Sequence, residues 1–230
     1  MDSRISAGPE NMKERLKASY DAIAPTYNKW TMPHSQLRMK YLGKALDFLS
    51  LSDKSNEVAF LELGCGCGLP VTEKLLSFPG AKITANDISE SQITLAREHL
   101  LKDVDTGTAA RLNLVQGDMN ALRFEKASLD LVAAFYSIIH LPRTEQVELL
   151  GRITEWLKPG GYFVANFSKE EAETVVHENW LHEKGWMFWS GWGKDKSLQE
   201  IKKVGLEVVV ADESEDVVDA SFLWVIAKRP

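Results

Sequence analysis

The stretch Phe60–Pro70, FLELGCGCGLP, runs from a short apolar segment into a loop that holds three glycines and both cysteines of the chain. A strand that empties into a glycine-rich loop and then a helix presents free N–H groups and a positive helix end to whatever lies above the strand. In a doubly wound sheet that place is the binding crevice beyond the strands' carboxyl ends. The spacing narrows the ligand. A dinucleotide fingerprint, GxGxxG, anchored on Gly64 and Gly66 needs a small residue at position 69, where the chain has Leu69. The pattern present is ExGxGxG, with Glu62 ahead of Gly64, Gly66 and Gly68. An acidic residue before the first glycine suits a ligand with a cationic group and no pyrophosphate.

Outward from the loop, short apolar runs alternate with amphipathic segments. VAFLELG, AKITAND, LNLVQGD and LDLVAAFY read as strands too apolar to have one wet face, which signals a parallel sheet covered by helices on both sides. PVTEKLLSF and SESQITLAREHLL carry apolar residues at helical spacing, and the second opens on Ser89 with Gln92 three residues on, as in a capping box. EQVELLGRITEWL continues as a helix to Leu157, stopped by KPGG, before a fifth strand. SLQEIKKVG reads as a helix, and LEVVVADESED with SFLWVIAKRP as two strands pairing in a hairpin, one antiparallel to its neighbour. The segment before the sheet, residues 1–50, is expected to be a helical cap with breaks near Pro25 and Pro33. The expected fold class is α/β, as one domain over residues 1–230.

Composition excludes several functions. Net charge is −6 with basic residues scattered, so a nucleic-acid substrate is not expected. No apolar run approaches the roughly 18 residues of a membrane span, and the first residues lack the apolar centre of a secretory signal, so the expected compartment is the cytosol. Two cysteines make no disulfide framework, and Cys65 and Cys67 alone cannot complete a metal site, so no metal is expected. The partner expected is a small molecule. Oligomeric state is not readable.

Asp87 ends the second strand about 20 residues beyond the glycines, where a carboxylate can accept both hydroxyls of a ribose. Asp118, in QGDMN, ends the third strand and is placed to meet an adenine edge. With LELGCGCG, NDIS, QGDM, LDLVAAFYSIIHLP and LKPGGYFV in this order, the sequence resembles the class I S-adenosylmethionine-dependent methyltransferases from about Tyr20 to the C-terminus. The resemblance implies a Rossmann-like seven-stranded sheet whose last strand slots in antiparallel, S-adenosylmethionine as cofactor, and a small-molecule methyl acceptor. It implies that Gly64, Cys65 and Gly66 meet the methionine part through their backbone, with Glu62 as acidic orienter. It gives Asp87 the ribose, Ile88 an adenine face, Asp118 and Met119 the adenine amino edge, and Phe135 the wall near the sulfonium. Tyr20 and Tyr27, in YDAIAPTY, stand in a segment similar to one that closes over the cofactor.

Methyl transfer needs alignment above all, and a general base only when the acceptor must lose a proton. His140, just past strand four, is the candidate base, with Tyr136 from the same loop as the alternative. Residues 170–195 form an insertion holding four of the seven tryptophans. It is expected to act as substrate lid, with Trp186, Trp189 and Trp192 lining an aromatic acceptor pocket. Two competing readings stay open: a cofactor-binding module without turnover, and a nicotinamide-dependent oxidoreductase, the latter disfavoured by Leu69.

Overall fold

The runs Ala59–Leu63 and Leu129–Ala134, buried almost throughout, need cover on both faces, and the chain supplies it. The computed structural model describes residues 8–49, 58–215 and 221–230. The first seven residues and Ser50 of the expected cap, and Asp216 of the expected strand LEVVVADESED, lie outside the described residues. In chain order the elements are α1 (Met12–Thr31), α2 (Ser35–Leu49), β1 (Ala59–Leu63), α3 (Val71–Leu76), β2 (Lys82–Asp87), α4 (Glu90–Leu101), α5 (Thr106–Ala109) and β3 (Leu112–Gln116). There follow β4 (Leu129–Ala134), α6 (Arg143–Trp156), β5 (Leu157–Ser168), β6 (Glu171–Glu178), β7 (Trp186–Trp192), α7 (Gly193–Lys203), β8 (Glu207–Glu215) and β9 (Ser221–Lys228).

Seven strands form one sheet in the order β3-β2-β1-β4-β5-β9-β8. β1 to β5 pair in parallel, and β9 lies antiparallel between β5 and β8, as the terminal hairpin leads one to expect. Strand alternation splits the core. Phe60 and Leu131 pair in register and join the cluster under α2 and α3, while their neighbours Leu61 and Val132 join the cluster under α6 and α7. Strand order reverses direction between β1 and β4, which puts the crevice above the carboxyl ends of these two strands.

One expectation needs correction. Helix α1 runs unbroken through Pro25 and ends only before Pro33, where a 3-10 turn spans Met32–His34. Pro25 is exposed, while Met12, Leu16 and Ile23 of the same helix pack on Trp186, Met187 and Phe188; tertiary contact on the buried face outweighs the one backbone hydrogen bond a proline forfeits. The insertion folds as a two-stranded antiparallel sheet, β6 with β7, seated against α1. At α4 the cap is half of the expected box: Ser89 Oγ accepts the Gln92 N–H at 3.1 Å, but the Gln92 amide donates instead to Asn28 Oδ1 of α1 at 3.0 Å.

Candidate functional site

The loop after β1 is built from left-handed glycines, with φ of +74° at Gly64 and +54° at Gly66. A Cβ at Gly64 would stand 2.4 Å from Ser137 Cβ, so a side chain there is excluded by space as well as by torsion. The expected free N–H groups are not free. Gly64 and Cys65 both donate to Asn86 O, at 2.8 and 2.9 Å, and Gly66 donates to Asp87 Oδ2 at 2.8 Å. The loop therefore offers close approach, and any further backbone bond from these three residues must come through their carbonyls. Cys65 packs into the core, where burial pushes its thiol up. Glu62 is buried behind the loop and accepts the Thr72 hydroxyl; burial raises its carboxyl to about 8, so it is mostly neutral at pH 7, and it is not among the residues lining the cavity above the loop. Sequence spacing located this carboxyl but could not show that desolvation removes its charge.

Above the loop lies a cavity lined by Gly64, Gly66, Asp87, Ile88, Asp118, Met119 and Phe135, from the ends of β1 to β4. Asp87 Oδ1 accepts the Ser89 N–H at 2.9 Å and Oδ2 that of Gly66, which leaves each oxygen a lone pair for a hydroxyl. Burial lifts its carboxyl to about 6 despite those bonds. Asp118 caps the turn Met119–Ala121 through Oδ1, and its Oδ2 meets Lys13 Nζ at 2.7 Å. Ser137 Oγ and Gln92 Oε1 line the same cavity, buried and without a hydrogen-bond partner among the described residues. Such atoms are expected where a polar ligand completes the site. Among the described residues no cluster of His, Cys, Asp or Glu could hold a metal ion.

Helix α1 covers this cavity and narrows it to about 70 Å³. Lys13 spans from Asp118 to Glu145, 2.5 Å away, and Asp21 accepts the Ser89 hydroxyl at 2.7 Å and the Ser91 N–H at 3.0 Å. Tyr20 and Tyr27 complete the roof.

A second cavity of about 440 Å³ opens beside the first, and Tyr20, Tyr27, Tyr136 and His140 line both. His140 is oriented from two sides. Phe188 O can only accept, so at 2.8 Å it fixes the imidazole proton on Nδ1 and leaves the Nε2 lone pair to accept the Tyr20 hydroxyl at 2.9 Å. Burial lowers the imidazole to about 4 and pushes the Tyr20 phenol well above its ordinary value. Tyr136 sits at φ +53°, a rare conformation for a bulky residue, with its N–H held by Asn166 Oδ1 of β5 at 2.7 Å.

The profile of the family described as "Methyltransferase domain" matches residues 60–161, from β1 into β5. Over those residues the chain is similar to a methyltransferase domain. The domain is similar to the malonyl-acyl-carrier-protein O-methyltransferase of Priestia megaterium, 27% identical over 75% of this chain and 58% of the relative. It is similar in fold to the (4+2)-cyclase SpnF, at TM-score 0.73 and 16% identity over 100% of this chain and 99% of that one. A third likeness is to the 1,6-didemethyltoxoflavin-N1-methyltransferase of Burkholderia thailandensis, solved with 1,6-didemethyltoxoflavin and S-adenosylhomocysteine, at TM-score 0.69 and 15% identity over 100% and 93%. At these identities the two structures speak for the fold alone. The chain spans between 27% and 58% of the length of the first four curated relatives it matches.

The fold brings most of the expected residues together, with two exceptions beside Glu62 and Cys65. Trp189 lines the second cavity, but Trp186 and Trp192 do not, because alternation along β7 puts both on the opposite face. Trp186 stacks under the Arg15 guanidinium at 4.0 Å and Trp192 under that of Arg143 at 4.9 Å. Sequence reading missed Lys13, Gln92 and Ser137 in the first cavity, and Trp30, Trp180, Glu170 and Phe222 in the second. Of these, Trp180 had a signal in the tryptophan-rich insertion; the others depend on which helix crosses which strand end.

Proposed function

We propose that this protein transfers a methyl group from S-adenosylmethionine to a small organic acceptor held in the aromatic cavity. The observation that carries the reading is the shared wall: ligands in the two cavities would abut at Tyr20, Tyr136 and His140. S-adenosylmethionine, when bound, supplies an electrophilic methyl group on a sulfonium. Asp87 is suited to the ribose hydroxyls, Ile88 to an adenine face, Asp118 and Met119 to the adenine edge, and Phe135 to the wall near the sulfur. The described helices include none long and apolar enough to cross a membrane.

His140 holds Nε2 unprotonated at the junction, where it can take a proton from an acceptor hydroxyl or amine once Tyr20 yields its place. A base this weak in the closed state takes the proton late, as bond formation to the methyl carbon acidifies the acceptor. Tyr136, fixed by Asn166, positions the acceptor from the other side. The curated relatives include enzymes named for O-methylation of malonyl-acyl-carrier protein and for C-methylation of a sterol, which supports the reaction class while leaving the attacked atom open.

The test is release of S-adenosylhomocysteine from S-adenosylmethionine in the presence of a metabolite panel, paired with calorimetry. Tight cofactor binding with no turnover on any acceptor would favour a binding module, and binding of a nicotinamide cofactor instead would overturn the reading. Asp87→Ala is expected to weaken S-adenosylhomocysteine by about 1–3 kcal/mol, the cost of losing a buried charge-assisted bond. An unchanged dissociation constant removes Asp87 from the site.

A further inference from the structure

The walls of the second cavity have a chemistry of their own. Five rings close a circuit around it: Tyr20 to Tyr27 at 5.2 Å, Tyr27 to Trp180 at 5.9 Å, Trp180 to Trp189 at 5.7 Å, Trp189 to His140 at 6.1 Å, and His140 back to Tyr20 at 5.6 Å. The interplanar angles in that order are 87°, 49°, 83°, 34° and 85°, so no two successive walls are parallel. A planar acceptor is best held in a slot between parallel faces. Faces tilted steeply to one another instead surround a compact, roughly spherical group with negative ring surface.

Charge points the same way. Among the described residues lining the cavity there is no Lys or Arg, and the one acidic residue, Glu170, is exposed. A phosphate or carboxylate entering here would lose water and meet no opposite charge, which is costly. The molecule's net charge of −6 raises the local concentration of cations rather than anions.

We propose that this cavity selects an acceptor bearing a positively charged nitrogen, a quaternary or protonated amine seated among the rings of Tyr27, Trp180 and Trp189 with Glu170 near the mouth. The inference rests on the cavity being the acceptor site. The charged nitrogen is the anchor, since it has no lone pair to attack with, and the methylated atom is a different one, nearer His140.

The experiment is calorimetry on the full chain saturated with S-adenosylhomocysteine, using choline and its uncharged isostere 3,3-dimethylbutan-1-ol as probes. Choline is expected to bind at least about tenfold tighter, a difference of about 1.4 kcal/mol. Trp180→Leu is expected to lose most of that preference and Glu170→Gln a smaller part, both with S-adenosylhomocysteine affinity retained as the control for folding. Equal or tighter binding of the isostere overturns the proposal in favour of an uncharged apolar acceptor. Binding of neither probe up to millimolar concentration, with S-adenosylhomocysteine bound, also overturns it while leaving the methyltransferase reading intact. Failure of S-adenosylhomocysteine itself to bind removes the reading underneath.

Discussion

His140 has one ring nitrogen committed and one on offer, and both facts follow from its neighbours. The Phe188 carbonyl holds the proton on Nδ1, so Nε2 is basic without any charge in the site. His140→Ala is expected to lower kcat by roughly 10²–10⁴-fold for an acceptor that must lose a proton, with S-adenosylhomocysteine affinity close to unchanged; equal loss of both would make the residue structural. Because its imidazole lies near 4, the wild-type rate should show no histidine limb between pH 5 and 8 in the free enzyme. The same burial has a stability consequence. The unfolded chain takes up a proton near 6.5 that the folded chain refuses until about 4, so stability falls as pH drops through that window. Glu62 works in the opposite direction: folded at about 8 against 4.5 unfolded, it holds its proton in the native state and destabilises as pH rises toward 8. Glu62→Gln removes that titration, and thermal melts of the ligand-free protein should show the wild type losing several degrees more than the variant between pH 6 and 9. About 1 kcal/mol corresponds to roughly 2–4 °C in a chain of this size. Parallel slopes for the two proteins would contradict a neutral Glu62.

At the scale of elements, α1 is the piece whose role is set by contacts far away in sequence. Its Lys13 occupies the Asp118 carboxylate that the proposed function assigns to an adenine edge, and the helix covers the cavity which that carboxylate lines. Lys13→Ala is expected to speed association of S-adenosylhomocysteine several-fold in stopped flow at low ionic strength. Salt should accelerate the wild type and not the variant, because screening weakens the half-exposed Lys13 pairs. A variant that associates no faster would show that α1 does not limit access. This helix also marks where the sequence stopped being informative. Pro25 reads locally as a break, yet burial of Leu16 and Ile23 against β7 carries the helix through it. Likewise the tryptophan cluster announced an aromatic pocket, but only the strand character of β7 decides that Trp189 faces it while Trp186 and Trp192 face two arginines. No local pattern distinguishes Lys13 from any other lysine on an amphipathic helix.

For the whole molecule, the sheet was legible because the first four strands each end on a marked residue, Gly64, Asp87, Asp118 or Phe135, at or just past the carboxyl end. Parallel strands put those ends on one side, so the residues that spacing and the family resemblance picked out line the first cavity, apart from Glu62 and Cys65, while Lys13, Gln92 and Ser137 carried no such signal. The second cavity draws on α1, the β4–α6 loop, the β6–β7 hairpin and β9, and has no linear signature. That wall shared by Tyr20 and His140 imposes a sequence of events. If α1 must lift to admit the cofactor, lifting it also dismantles the acceptor's pocket, and the pocket is rebuilt only when the helix returns. On the proposed methyl transfer, the expected order is that of a turnstile: S-adenosylmethionine enters first, the acceptor second, and S-adenosylhomocysteine leaves last. Initial-rate kinetics should show S-adenosylhomocysteine competitive against the cofactor and noncompetitive against the acceptor, whereas a random-order pattern would mean that each substrate has its own door.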